Sequence, residues 1–298
     1  MKTYIDIFRN EFFGMTSWVW NQITFQELWY QNYFYGLIAI SLVVWVLEIL
    51  FPWRKEQAII RKDFWLDVFY MFFNFFAFSI FIYGFYGIIQ HSASSIGFNL
   101  NSITLIDIKK LPLGYGLLVF FILNDFVQWL THVLLHRFDF LWQFHKVHHS
   151  VEEMGFAAHL RYHWMENLFY KPLKTLIVMF LGGFEPDMAF AIHFLSILIG
   201  HLNHANLKIT WGPLKYIFNN PVMHLYHHAK ALPKNRFYGV NFGISLSLWD
   251  YLFKTNYIPQ SEDGTIELGF DEVENFPKKF LQQITYGFTK NASNQNHK

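Results

Sequence analysis

Three histidine groups dominate the chemistry this sequence can offer. They are His132-Val-Leu-Leu-His136, His145-Lys-Val-His148-His149 and, some 75 residues later, His224-Leu-Tyr-His227-His228. On a helix, positions i, i+3 and i+4 share a face, so each group can present its imidazoles side by side. A neutral imidazole offers a lone pair to a metal, and a cluster of them near lipid is costly unless those lone pairs find a cation. A lone HxxxH is weak evidence, because two histidines often sit at a membrane interface. Two copies of HxxHH in one chain are strong evidence. Eight imidazoles exceed the four ligands of a tetrahedral zinc site, so two metal ions are the economical expectation. Imidazole suits iron, zinc, copper and nickel alike, and the spacing does not choose among them.

Further candidates surround this core. His201 and His204 form an i, i+3 pair and are expected to be ligands, with His204 the stronger choice. His163 is a ligand, a group that orients one, or a surface residue. Asp125 lies seven residues before His132, on its face, and a carboxylate in an otherwise apolar helix needs a partner. It is expected to orient a histidine by accepting its other ring N–H. Glu166 and Asp250 are weaker candidates for the same task. Glu152-Glu153 reads as a solvated face, His159 and His193 as structural, and His91 and His297 as remote from the cluster.

These residues need a scaffold, and the composition says which kind. Of 298 residues, 53% are hydrophobic and 15% charged, which is too apolar for an ordinary soluble chain of this length. The formal net charge of +1, with Lys and Arg scattered, excludes an electrostatic nucleic-acid surface. Without cysteine there is no disulfide, no Cys zinc site, no cysteine-bound cluster and no thiolate haem. Apolar runs at about Phe34 to Phe51, Phe64 to Ile89 and Leu111 to Leu135 can each cross a bilayer. Leu173 to Leu181 and Met188 to Ile199 flank the breaker Gly182-Gly183-Phe184-Glu185-Pro186-Asp187 and predict a re-entrant or short helical hairpin. Arg54, Lys55, Arg61 and Lys62 place the first connection in the cytoplasm, although Lys109 and Lys110 on the opposite loop oppose that orientation. The histidine groups then share the cytoplasmic face.

The expected fold is therefore an all-α integral membrane protein with about three long transmembrane helices, the hairpin, and a cytoplasmic histidine-rich helical cap. Residues 1–33 are expected to be a mature, aromatic-rich interfacial segment without a cleaved signal, 34–256 a single membrane-embedded domain, and 257–298 a solvated polar tail. No internal repeat or second domain is visible.

Taken together, the motifs resemble the fatty acid hydroxylase and sterol desaturase superfamily of membrane di-iron proteins. The resemblance spans about residues 118–255. It rests on Asp125 before His132-x-x-x-His136, Phe144-His145-x-x-His148-His149-Ser150, Arg161-x-His163-x-x-Glu166 and His204-Ala-Asn206. Asn220-Pro221-x-x-His224-x-x-His227-His228, Asn241-Phe-Gly243 and Leu248-Trp249-Asp250-x-x-Phe253 complete it. It implies a four-helix membrane base, two metal ions that are iron or alternatively zinc, and O₂-dependent hydroxylation or desaturation of a sterol, fatty acyl or related lipid chain. Val133 stands where many relatives have Arg and Lys254 where Gly is frequent, which leaves the subfamily and substrate open. The lipid would enter from the bilayer. Electrons would come from a ferredoxin, cytochrome or reductase, because the chain has no dinucleotide fingerprint of its own. A metal transporter would hold its ligands at mid-depth, whereas these lie at span ends. A zinc-dependent membrane hydrolase would need fewer imidazoles.

Overall fold

A computed structural model describes residues 3–97, 105, 107–168, 170, 173–174, 186–258 and 266–288. Among them there is no strand, only helices and three isolated bridges, so the protein is all-α. Helix α1 (Tyr4–Ile23) opens with a capping box in which Thr3 and Asp6 satisfy each other's backbone N–H. Helix α2 (Tyr33–Leu50) is capped by the Asn32 side chain, which accepts from Tyr35 N. Helix α3 runs from Phe64 to Ser95 with a π-helical turn at Phe73–Ala77. Helix α4 covers Leu113–Arg137. The three helices α2, α3 and α4 are each long and apolar enough to cross a membrane. Their outward faces carry exposed Leu42, Val46, Phe69, Phe85, Leu118 and Leu123, as a lipid-facing surface should.

Within the segment expected at the interface, residues 3–33 form a helix and a short connection that pack on the apolar helices. Helix α1 runs antiparallel along the second half of α3, with Phe8 packed where Gly84 lacks a side chain and rings of Phe12 and Phe81 5.5 Å apart. At 32 residues α3 is about 48 Å long, more than a bilayer core of about 30 Å, and α1, at 20 residues about 30 Å long, lies along its second half.

The site-bearing helices are short and follow α4. A single extended residue, Phe138, turns the chain between α4 and α5 (Asp139–His149). Helix α6 (Pro186–His204) forms the second arm of the expected hairpin and continues past Gly200 to His204. The first arm, 173–181, lies largely outside the described residues. Helix α7 (Pro221–His227) starts where the Asn220 side chain accepts from Met223 N and Pro221 fills the first helical position. Helix α8 (Leu248–Leu252) follows a loop at 240–247, and α9 (Phe280–Gln283) closes the described chain.

The sequence reading took the end of the chain as solvated. Residues 266–288 instead fold back: Phe270, Val273, Phe276 and Tyr286 form one buried cluster with Tyr70, Trp142 and Val147. Gly269 N also donates to His228 O, which ties this segment to the third histidine group.

Candidate metal centre

Helices α4, α5, α6 and α7 all end at the same place, and each carries histidines in its last turn. A helix C-terminus is the negative pole of its macrodipole, so four of them converging favour a cation between them. The histidines fall into two groups. His132, His136, His145, His149 and His227 have ligand nitrogens all within 4.8 Å of one another, and so do His148, His204, His224 and His228. Every one of them is buried. Each HxxHH box serves both groups, in opposite senses. From α5, His145 and His149 join the first and His148 the second, whereas from α7, His224 and His228 join the second and His227 the first.

Backbone carbonyls decide which ring nitrogen faces inward. His132 Nδ1 lies 2.8 Å from Phe242 O, His148 Nδ1 2.9 Å from Arg161 O, His204 Nδ1 2.8 Å from Gly200 O and His227 Nδ1 2.7 Å from Val240 O. A carbonyl only accepts, so each Nδ1 carries the proton and each Nε2 turns a lone pair toward the group's centre. His148 Nε2 and His204 Nε2 are then 3.3 Å apart, two lone pairs facing each other. That contact is repulsive unless a cation lies between them. Nε2 of His149, Nε2 of His227 and both ring nitrogens of His228 are buried with no hydrogen-bond partner among the described residues. Such orphaned acceptors fit metal ligation. Burial also pushes the imidazole of His148 down to about 4 and those of His145, His149, His227 and His228 well below their ordinary value, which keeps them neutral.

One histidine leans on a carboxylate instead. His145 Nδ1 lies 3.2 Å from Glu166 Oε2. Burial raises the Glu166 carboxyl to about 8, opposed by a hydrogen bond from His163 N. Glu166, one of the two weaker sequence-based choices beside Asp250, is thus the carboxylate that reaches an imidazole of the groups among the described residues.

Asp125 does not orient His132. Its carboxylate accepts from Ser245 N, Leu246 N and Trp249 Nε1 at 2.9, 3.2 and 3.0 Å, so the loop after residue 244 satisfies it before a histidine can. Asp250 acts on the same loop. It accepts from Phe242 N, Gly243 N, Trp129 Nε1 and Thr255 Oγ1, and so fixes the peptide whose carbonyl holds His132. Asn241, at φ 54°, flips the chain so that the carbonyls on either side of it meet His227 and His132. At Gly243 a Cβ would meet Leu246 O at 2.5 Å, which requires glycine there.

His201 and His163 stand apart from both groups. His201 Nδ1 is 2.9 Å from His159 Nδ1 and its Nε2 3.1 Å from Ser41 Oγ, so α2 and His159 claim it. Three residues along a helix leave about 60° between side chains, enough to turn it away from His204. His163 is fully buried, accepts from Met165 N and packs its ring on Phe144. The carbonyls at 161, 200, 240 and 242 were missed by sequence reasoning, since every residue carries one. The only available signal was the Asn241-Phe-Gly243 turn with Asp250 after it.

Residues 117–255 match the model of the fatty acid hydroxylase family. The chain is 30% identical over 179 residues to an ornithine lipid hydroxylase, OlsE, of Rhizobium tropici, covering 60% of this chain and 52% of that one. It is 27% identical over 183 residues to an alkylglycerol monooxygenase of Caenorhabditis elegans, covering 58% and 34%, and 32% identical over 139 residues to that of Danio rerio, covering 44% and 28%. The chain thus spans about half or less of the length of these curated relatives. No solved structure matches it.

Proposed function

We propose, proceeding from a chain whose residues 117–255 are a fatty acid hydroxylase domain, that the protein hydroxylates a membrane lipid with O₂ at two metal ions held by the two histidine groups. The observation that carries this reading is the pair of adjoining, buried, all-imidazole groups at the end of an apolar helix, with Nε2 lone pairs aimed at one another. Two iron ions bound there would supply the O₂ chemistry needed to oxidise an unactivated C–H bond, which no side-chain acid or base can break. His132, His136, His145, His149 and His227 would hold one ion, and His148, His204, His224 and His228 the other.

The chain's own part is position and exclusion. Carbonyls and Glu166 fix the imidazoles, and the burial of all nine keeps water from them. The substrate belongs with those named for the relatives, a lipid with an acyl or alkyl chain, entering from the bilayer between the apolar helices. The histidine cap faces the cytoplasm, because Arg54, Lys55, Arg61 and Lys62 flank the first connection, and an external ferredoxin, cytochrome or reductase delivers electrons there.

Mass spectrometry of total lipids from cells with and without the gene, grown under ¹⁸O₂, tests the reaction. One lipid class should gain a single labelled oxygen only where the gene is intact. Elemental analysis of the protein purified in detergent should find two metal ions per chain. A lipid profile that does not change, or one ion per chain, overturns the reading.

A further inference from the structure

The second histidine group is braced from inside the membrane helix α3. His148 owes its orientation to the carbonyl of Arg161, and both neighbouring carbonyls are held. Asn74 Nδ2 donates to Leu160 O at 3.2 Å and to Tyr162 O at 2.8 Å. Asn74 lies in the π-helical turn of α3, where one extra residue per turn re-aims the side chains, and it is 2% exposed. Arg161 itself is 1% exposed. Its guanidinium donates to Asp67 Oδ1 at 3.0 Å, to Asp63 Oδ2 at 3.2 Å and to Ser150 Oγ at 2.9 Å. Asp67 is joined to Arg61 as well, so it pairs with two cations. Asp67 and Asn74 are seven residues apart, two turns along one face of α3. Among the described residues, the side-chain hydrogen bonds of Asp67 and Asn74 go to Arg61, Arg161 and the carbonyls of 160 and 162 and to no imidazole of either group.

We propose that Asp67 and Asn74 are positioning residues for the second histidine group. Through the Arg161 side chain and the carbonyls of 160 and 162 they fix the peptide whose oxygen takes the His148 Nδ1–H, and so aim His148 Nε2 at the metal position. This rests on the reading of the two groups as metal sites. Asp67 acts on the second group through Arg161, whereas Asn74 also has a longer path to the first group, because Tyr162 O shares a peptide with His163 N, which donates to Glu166 Oε1 behind His145; His132 and His227 are oriented by Phe242 and Val240.

The test separates the two groups. A background carrying His136→Ala, His149→Ala and His227→Ala cuts the first group from five imidazoles to two, and one carrying His224→Ala and His228→Ala cuts the second from four to two, too few for a zinc site. Zn²⁺ affinity of the full chain in detergent, measured by competition with a chromogenic chelator, is compared for Asn74→Leu and Asp67→Asn in each background. The expected result for Asp67→Asn is a loss of about 10- to 100-fold in the first background and no change in the second, and for Asn74→Leu a clearly larger loss in the first than in the second. Equal losses in both would mean general loosening of the fold and overturn the proposal, as would no loss in either. If the parent backgrounds take up no Zn²⁺ at all, the reading of the groups as metal sites fails, and the bracket with it.

Discussion

In the metal-free protein a proton can stand where a metal would. With its carboxyl raised to about 8 by burial, Glu166 is about nine-tenths protonated at pH 7. It can then donate to His145 Nδ1, which puts the ring proton on Nε2, facing His132 Nε2 at 3.1 Å. Metal binding reverses this chain: Glu166 must ionise to accept from Nδ1–H, and His145 Nε2 must present a lone pair. The surrounding imidazoles outside the span are already neutral, so this is the one proton the first group releases near neutrality. The sign follows directly. Below about pH 8 the affinity of the first group should rise about tenfold per pH unit, and above it should level off. At pH 7 the deficit is about one unit, or about 1.4 kcal/mol. Glu166→Gln removes that proton but also the charge on the acceptor, for a loss of about 10-fold at pH 9. The two affinities should therefore meet near pH 7, and the Gln variant should bind about 10-fold tighter at pH 6. Zn²⁺ titrations against a chelator from pH 6 to 9, in a background carrying His224→Ala and His228→Ala, measure both curves. A flat parent curve, or an equal slope in the Gln variant, refutes the proton–metal exchange.

Two shorter expectations follow from the placements. His201→Ala should leave both metal ions in the purified protein, because its ring bonds Ser41 and His159, and the loss of one ion by elemental analysis would return it to the ligand set. Asp125→Asn should turn an amide N–H toward one of three backbone or indole donors, lowering stability in detergent by about 1–3 kcal/mol with metal content kept; an Asn variant as stable as its parent would show that the loop does not depend on the carboxylate.

The sequence made the helices and the histidine boxes legible because both rest on periodicity. Apolar runs of span length and the i, i+3, i+4 spacing are local properties, and the structure places α2, α3 and α4 where the runs lie. What each box does is not local. That His148 leaves His145 and His149 for the other group depends on α6 and α7 arriving opposite it, from 56 and more residues away. Asp125 shows the limit from the other side. Helical spacing put it on the His132 face, but a loop 120 residues later offers it three donors, and spacing is silent about such a competitor. The segment 266–288 was misread because its apolar residues sit in turns without a period.

The interleaving of the boxes also sets an order of events during synthesis. His132, His136, His145, His148 and His149 leave the ribosome first, yet the first group is complete only at His227 and the second at His228, and the orienting carbonyls extend to Phe242. At about 5–20 residues per second, that interval lasts roughly 5 to 20 s. During it the nascent chain presents a partial set, five imidazoles and then, with His204, six, which as metal ligands would be open to whichever divalent ion is most available and most tightly bound by nitrogen. On the reading of the groups as metal sites, correct loading is therefore completed only after Phe242 is made, by exchange or delivery into the closed pair.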